Sequence, residues 1–347
     1  MKKLSNIKWP RNLNYMIVGA IMLLFVILSF CGAVKISTVY LLEEIAIKIV
    51  LALSLSLVVG FLGELSLGHA GFMCVGAYLG GKIATVLAAL LGNDILALII
   101  ALVVGGACAG ICGFLIGLPA LRLRGDYLAI TTLAFGEIVK TIFQNVLPNV
   151  FGGPTGFKAP KFNGKYFYII CFIVVLVTLA VIQNLIRSKH GRAIKAIRDN
   201  EIAAKAMGIN VTNYKLFVFI IAAVFAGIAG VLHSYTMAGN VECVTPKVFD
   251  YNASIAILVM VVLGGMKSIN GVMISAVFIT FLSRTLENNL PSKYAVLKDI
   301  IYALVLIAVV IYNNAPALKT FREEHNLKSV FAKKKRAALD TAQKEVE

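Results

Sequence analysis

Charge is what this sequence lacks most. Of its 347 residues only 14% are charged and 59% are hydrophobic, whereas a typical soluble domain carries roughly 25% charged residues. The apolar residues also come in runs, several of which reach the ~20 residues that carry a helix across a ~30 Å hydrocarbon core. A soluble chain cannot hide that many such runs, so the membrane is the solvent. Strict alternation is missing too. A stretch such as Ile95–Gly117 does not alternate apolar and polar positions, as barrel strands do over about ten residues. Only helices and closed barrels satisfy a backbone in lipid, so helices remain. The six cysteines, at positions 31, 74, 108, 112, 171 and 243, fall mostly in apolar stretches and make no CxxC motif. They read as small packing residues, and neither a disulfide nor a metal site is expected. No nucleophile–base arrangement and no pair of catalytic acids is found; His190, His233 and His325 stand alone. A membrane enzyme is therefore disfavoured. One match to a phosphate-binding GxxxxGK, Gly76 to Lys82, is followed by Ile83 where Ser or Thr would hold Mg²⁺, and it lies inside an apolar run. Any ATP must be bound by another subunit.

Ten candidate spans are present, at roughly 14–33, 45–62, 71–91, 95–117, 127–147, 166–186, 216–237, 251–265, 270–285 and 299–313. The eighth and ninth are short and interrupted by glycine. Tyr15–Phe30 follows Lys2, Lys3, Lys8 and Arg11 but is long for a signal core and has no clear small-residue cleavage site, so it reads as the first membrane helix. Acidic residues are scarce, 17 against 33 basic, giving a net charge of +16. Their distribution gives the excess its meaning. With the N-terminus inside, 22 of the 33 basic residues fall in segments on the cytoplasmic side, where Lys and Arg are retained; only 148–165 runs clearly against the trend. The charge is a topology signal, and nucleic acid is not an expected partner. The expected architecture is an all-α polytopic membrane protein of about ten (eight to ten) helices, N-in and C-in. Residues 1–317 would form the membrane domain and 318–347 a charged cytoplasmic tail. The outside loops are short, with no large domain to capture a ligand.

Three segments could carry function. The first, GELSLGHAGF from Gly63 to Phe72, sets Glu64, Ser66 and His69 among glycines between two apolar runs. It is either a broken helix lining a path or a solvated cytoplasmic turn. Met260–Thr280 echoes its rhythm, and paired glycine-interrupted segments in two halves of a transporter point to the pathway; ordinary glycine usage in membrane helices is the alternative. The second, Leu118 to Lys140, contains Glu137 and Lys140 at i,i+3. That pair is either an ion pair holding helices together or a polar lining. The third is the loop Ser188 to Lys215, where Ala193, Ile194, Ile197, Ile202, Ala206 and Met207 recur at helical spacing among basic residues and Gly208 closes the helix. Such a helix lies on lipid headgroups or docks in a partner's groove.

Glu201-Ile-Ala-Ala-Lys-Ala-Met-Gly208 resembles the EAA…G signature of ABC importer permeases. SLGHAGFMCVGAY (66–78), LRLRGDYLAITTLAFGEI (121–138), GGPTGF (152–157), HGRAIKAIRDNEIAAKAMGI (190–209) and LGGMKSINGV (263–272) are similar, in order, to blocks of the LivM-type permeases of branched-chain amino acid importers. One departure is Asn313 to Leu318, where the family usually has an Arg-Pro-x-Gly-Leu-like segment. The resemblance implies a multi-pass subunit of the bacterial inner membrane with an ABC importer permease fold and no cofactor of its own. It would pair with a second, related permease as a heterodimer. Two cytoplasmic ATPases that bind ATP and Mg, and an extracytoplasmic substrate-binding protein, would complete the complex, with lipid around it. Leucine, isoleucine or valine would be the cargo. Arg198, Glu201, Ala204 and Gly208 would form the coupling loop; Glu64, Ser66, His69 and Glu137 are the candidates for the path. Two rivals are the same machine serving urea or short amides, and an ion-coupled carrier using Glu137 with Glu64.

Overall fold

The computed structural model describes residues 35–123, 125–146, 148–158, 162, 167–236 and 243–289, with a few isolated positions in 15–23 and 303–311. The predicted first and tenth spans, 14–33 and 299–313, lie mostly outside the described residues, and the tail 318–347 lies wholly outside them. Apart from the single turn Pro148–Phe151, the α-helices are α1 (Ile36–Leu62), α2 (His69–Leu91), α3 (Asp94–Ala120), α4 (Asp126–Asn145), α5 (Phe167–Arg187), α6 (Lys189–Asp199), α7 (Glu201–Ala206), α8 (Val211–Tyr235), α9 (Tyr251–Gly264) and α10 (Ile269–Asn289). Eight of them coincide with the second to ninth predicted spans.

The chain is a polytopic helical membrane protein: among the described residues six helices, α1, α2, α3, α5, α8 and α10, are long and apolar enough to cross a bilayer. The other two are exceptional for legible reasons. α4 carries Glu137 and Lys140 at its middle. α9 has 14 residues, about 21 Å at 1.5 Å per residue, and is too short to span. The largest boundary difference is at α1, which begins nine residues before the predicted edge at 45. No glycine or proline interrupts Ile36–Ser56, so the helix runs through Glu43 and Glu44. Glu43 is buried, as a carboxylate at membrane depth is expected to be.

The apolar 18-residue stretch of α1 is 94% buried and that of α10 22%; α1 is the central helix and α10 a peripheral one. α8 is the other core element. It lies along α3, whose glycines 106, 110, 113 and 117 share one face and receive Ile228, Val224, Ala223 and Leu216 of α8. Small residues of this kind let membrane helices approach closely, in place of a hydrophobic drive that lipid does not supply. α8 also meets α2 backbone to backbone. A Cβ on Gly76 would collide with the Gly227 carbonyl.

The connections sort to two ends. At one, residues 60–64 meet the 188–210 loop through Arg198 and Lys215, and Gly60 abuts the Met266 carbonyl, so the two glycine-rich breaks lie together. At the other, β1 (Phe157–Lys158) pairs antiparallel with β2 (Cys243–Val244), Phe157 opposite Val244. The segments that meet at the first end are ones expected on the same side, as are the two that pair at the second.

Candidate functional site

α1 ends in a widened turn. Its last six residues, Leu57–Leu62, are π-helical, and Gly63 takes φ 86° while donating its N–H to the Val58 carbonyl at 3.0 Å. Such turns recur at functional sites. Residues 63–68 then have no regular structure and climb back beside α1. His69 Nε2 lies 2.8 Å from Ser54 Oγ, eight residues up α1 from Leu62, or about 12 Å. The Ser54 hydroxyl donates to the Leu51 carbonyl, so its oxygen accepts from the imidazole and the proton sits on Nε2. α2 therefore starts inside the bundle, which makes this segment a broken helix.

The polar groups freed by the break find partners on neighbouring helices. Thr132 Oγ1 of α4 accepts from Leu67 N–H and Ser254 Oγ of α9 accepts from Ala70 N–H, each at 3.0 Å. α9 also starts at this depth. Asp250 caps it by accepting from Ala253 N–H, and Glu137 Oε1 accepts from Tyr251 N–H, both at 3.0 Å. Glu137 Oε2 in turn sits 2.6 Å from Lys140 Nζ, with the two side chains 33% and 20% exposed. Glu137 is eleven residues into α4, about 17 Å. Two helix N-termini and an ion pair open to the outside of this chain thus converge partway along the bundle. Irregular backbone at that depth is tolerated only where protein or a water-filled cavity covers it.

Below the break, the 188–210 loop folds as two helices rather than one. Ser188 caps α6 by accepting from Gly191 N–H, and α6 buries Ile194 and Ile197. Asn200, in extended conformation, stops α6 and caps α7 by accepting from Ala203 N–H at 3.0 Å. α7 closes on Gly208, at φ 81°, whose N–H donates to the Lys205 carbonyl while Ile209 N–H donates to the Ala204 carbonyl. That is the glycine-closed motif of helix C-termini.

Two cations join the loop to the break. Arg198 Nη1 donates to the Gly60 carbonyl at 3.3 Å, and its Nε and Nη2 hold Asp199 at 3.0 and 2.7 Å. The hydrogen bonds from Arg198, then its charge, hold the Asp199 carboxyl below its ordinary value. Lys215, in the second turn of α8, sets its Nζ 2.5 Å from Glu64 and 3.1 Å from Glu201, with its side chain 5% exposed.

Among the predicted site residues, Glu64, Arg198 and Glu201 come together at this clasp. Ser66 and His69 are buried within the break, Glu137 lies higher against α9, Ala204 is buried and Gly208 closes α7. Lys215 was not predicted, although a signal existed: it is the only Lys, Arg, Asp or Glu in the 25 residues of α8, and a charge in an apolar run needs a partner. Ile202 and Met207 also stand out, at 79% and 83% exposed.

The family described as "Branched-chain amino acid transport system / permease component" matches residues 37–310. The chain belongs to that family. The permease is 34% identical, over 88% of its length and 74% of theirs, to the high-affinity branched-chain amino acid transport system permease proteins LivM of Salmonella typhimurium and Escherichia coli. It is 25% identical, over 60% of its length and 70% of the relative's, to the probable branched-chain amino acid transport permease protein LivH of Methanocaldococcus jannaschii. No solved structure matches it. The permease is accordingly a transporter subunit of the inner membrane and not an enzyme.

Proposed function

We propose that the permease carries leucine, isoleucine or valine into the cytoplasm as one of two related membrane subunits of an ABC importer. Two cytoplasmic ATPases supply the energy, and a separate extracytoplasmic protein selects the cargo. The observation that carries this reading is the 188–210 loop. α7 is a short, doubly capped helix that exposes Ile202 and, at its C-cap, Met207, while its first residue, Glu201, is tied to the membrane core through Lys215. Two large apolar side chains held outward by a fixed helix suit a partner's groove better than water. Residues 1–317 form the membrane domain in this reading, and 318–347 a tail.

The path runs past the broken start of α2. Ser66 and His69 belong to the wall of the break, and the Glu137–Lys140 pair faces the second permease across the path, because ionised groups at membrane depth face protein or water rather than lipid. Mild-detergent purification of the tagged permease tests the assembly. The expected result is that two Walker-type ATPases and a second polytopic subunit accompany the wild type. With Ile202 and Met207 both changed to Asp, the second permease stays and the ATPases are lost. A homo-oligomer free of ATPases would overturn the reading.

A further inference from the structure

We infer that Lys215 is the residue through which movement of the cytoplasmic loop reaches the broken helix, so that it couples ATP hydrolysis to opening of the path. This rests on the proposed role as an ABC importer permease.

Lys215 touches all three pieces of chain such a transmission needs. It stands on α8, a core helix. Its ammonium meets Glu201, the first residue of α7, and Glu64, the second residue of the break. An ammonium has three donors, so both carboxylates are served together, and at 5% side-chain exposure little water competes for either bond. The parallel links are looser: Arg198 Nη1 reaches the Gly60 carbonyl at 3.3 Å from a guanidinium that also binds Asp199, and Lys195 Nζ stands 6.0 Å from the centre of the Phe61 ring. Apolar packing between loop and break would let one slide over the other. A short ion pair of fixed reach does not. Displacement of α7 by a partner bound at Ile202 and Met207 must either carry Glu64 with Glu201 or detach one of them from Lys215. Both results change the backbone at Gly63–Gly68, where α2 begins.

The arrangement also predicts which chemistry matters. A cation of similar length keeps the link, while an apolar side chain of similar length breaks it. Lys215 is thus a positioning residue, and uptake and ATP hydrolysis must be read separately to see it.

The test uses the complete transporter, reconstituted in liposomes with its binding protein, measuring leucine taken up and ATP hydrolysed in the same vesicles. Lys215→Met is expected to lower uptake by at least about tenfold while ATPase content and hydrolysis stay within about twofold of wild type. Lys215→Arg keeps uptake within about threefold, and Glu201→Gln falls between the two. Lys215→Met vesicles that import at the wild-type rate overturn the inference. So does loss of uptake in mere proportion to lost ATPase or lost hydrolysis, which would mark a structural role; Glu201→Gln, milder for folding, is judged by the same ratio. Failure of the underlying reading looks different, because wild-type vesicles would then show no ATP-dependent uptake at all.

Discussion

The two ends of the permease are built from different materials. At the end that holds the 188–210 loop, beside the buried Ile194 and Ile197, the ties to the break are polar and directional: Lys215 with two carboxylates, Arg198 with a backbone carbonyl. At the opposite end, Tyr78 stacks on Phe143 at 4.7 Å and meets Phe151, Phe157 and Phe249 edge-on at 5.7, 5.4 and 6.1 Å, and its hydroxyl donates to the Val244 carbonyl. Aromatic packing is broad and tolerant in direction, whereas an ion pair of fixed reach transmits a displacement. The difference teaches that, in the proposed importer, connection to a moving partner belongs at one end and closure of the bundle at the other.

The largest expected effect is at the directional end. Gly208→Pro should abolish uptake while the protein still reaches the membrane, since proline cannot take φ 81° and lacks the N–H that closes α7, a local defect of about 3 kcal/mol or more. Uptake at the wild-type rate would remove the loop from the mechanism. At the aromatic end the effect should appear in stability. Tyr78→Ala should lower it by about 3–5 kcal/mol and Tyr78→Phe by about 1 kcal/mol, read by thermal unfolding in detergent, with ATPases still bound to the folded fraction. The smallest effect is expected at Asp199, whose carboxyl is exposed. Because Arg198 depresses its pKa, its contribution is complete above the ordinary carboxylate range and fades only as pH falls through the lowered value, below about pH 4. Asp199→Asn should therefore leave uptake within about twofold, with an unchanged profile from about pH 6 to pH 8. A pronounced change there would mean the polar end depends on more than Lys215.

Helices were legible wherever apolar runs end in glycine. The break after Leu62 and the stop at Gly208 were both readable, because glycine between an apolar run and a polar one has few other meanings. The start of α1 was not, since Glu43 and Glu44 look like surface residues until the helix around them is seen to be buried. Asn200 was equally hidden: one asparagine inside an amphipathic pattern gives no periodicity signal, yet its side chain caps α7 and divides the loop in two. The site was legible as residue types and illegible as a set of partners. Glu64 reads as a path residue in isolation; only the fold brings Lys215, 151 positions later, within 2.5 Å of it. A pairing across that sequence distance leaves no local pattern to read.

The most direct test of the account is uptake of labelled leucine by liposomes that hold the purified complex and its binding protein, with ATP or ADP at the cytoplasmic face and no ion gradient. The account predicts accumulation with ATP and the binding protein present, and none with ADP. Uptake that ignores ATP and follows an imposed proton or sodium gradient would contradict it and make the permease an ion-coupled carrier.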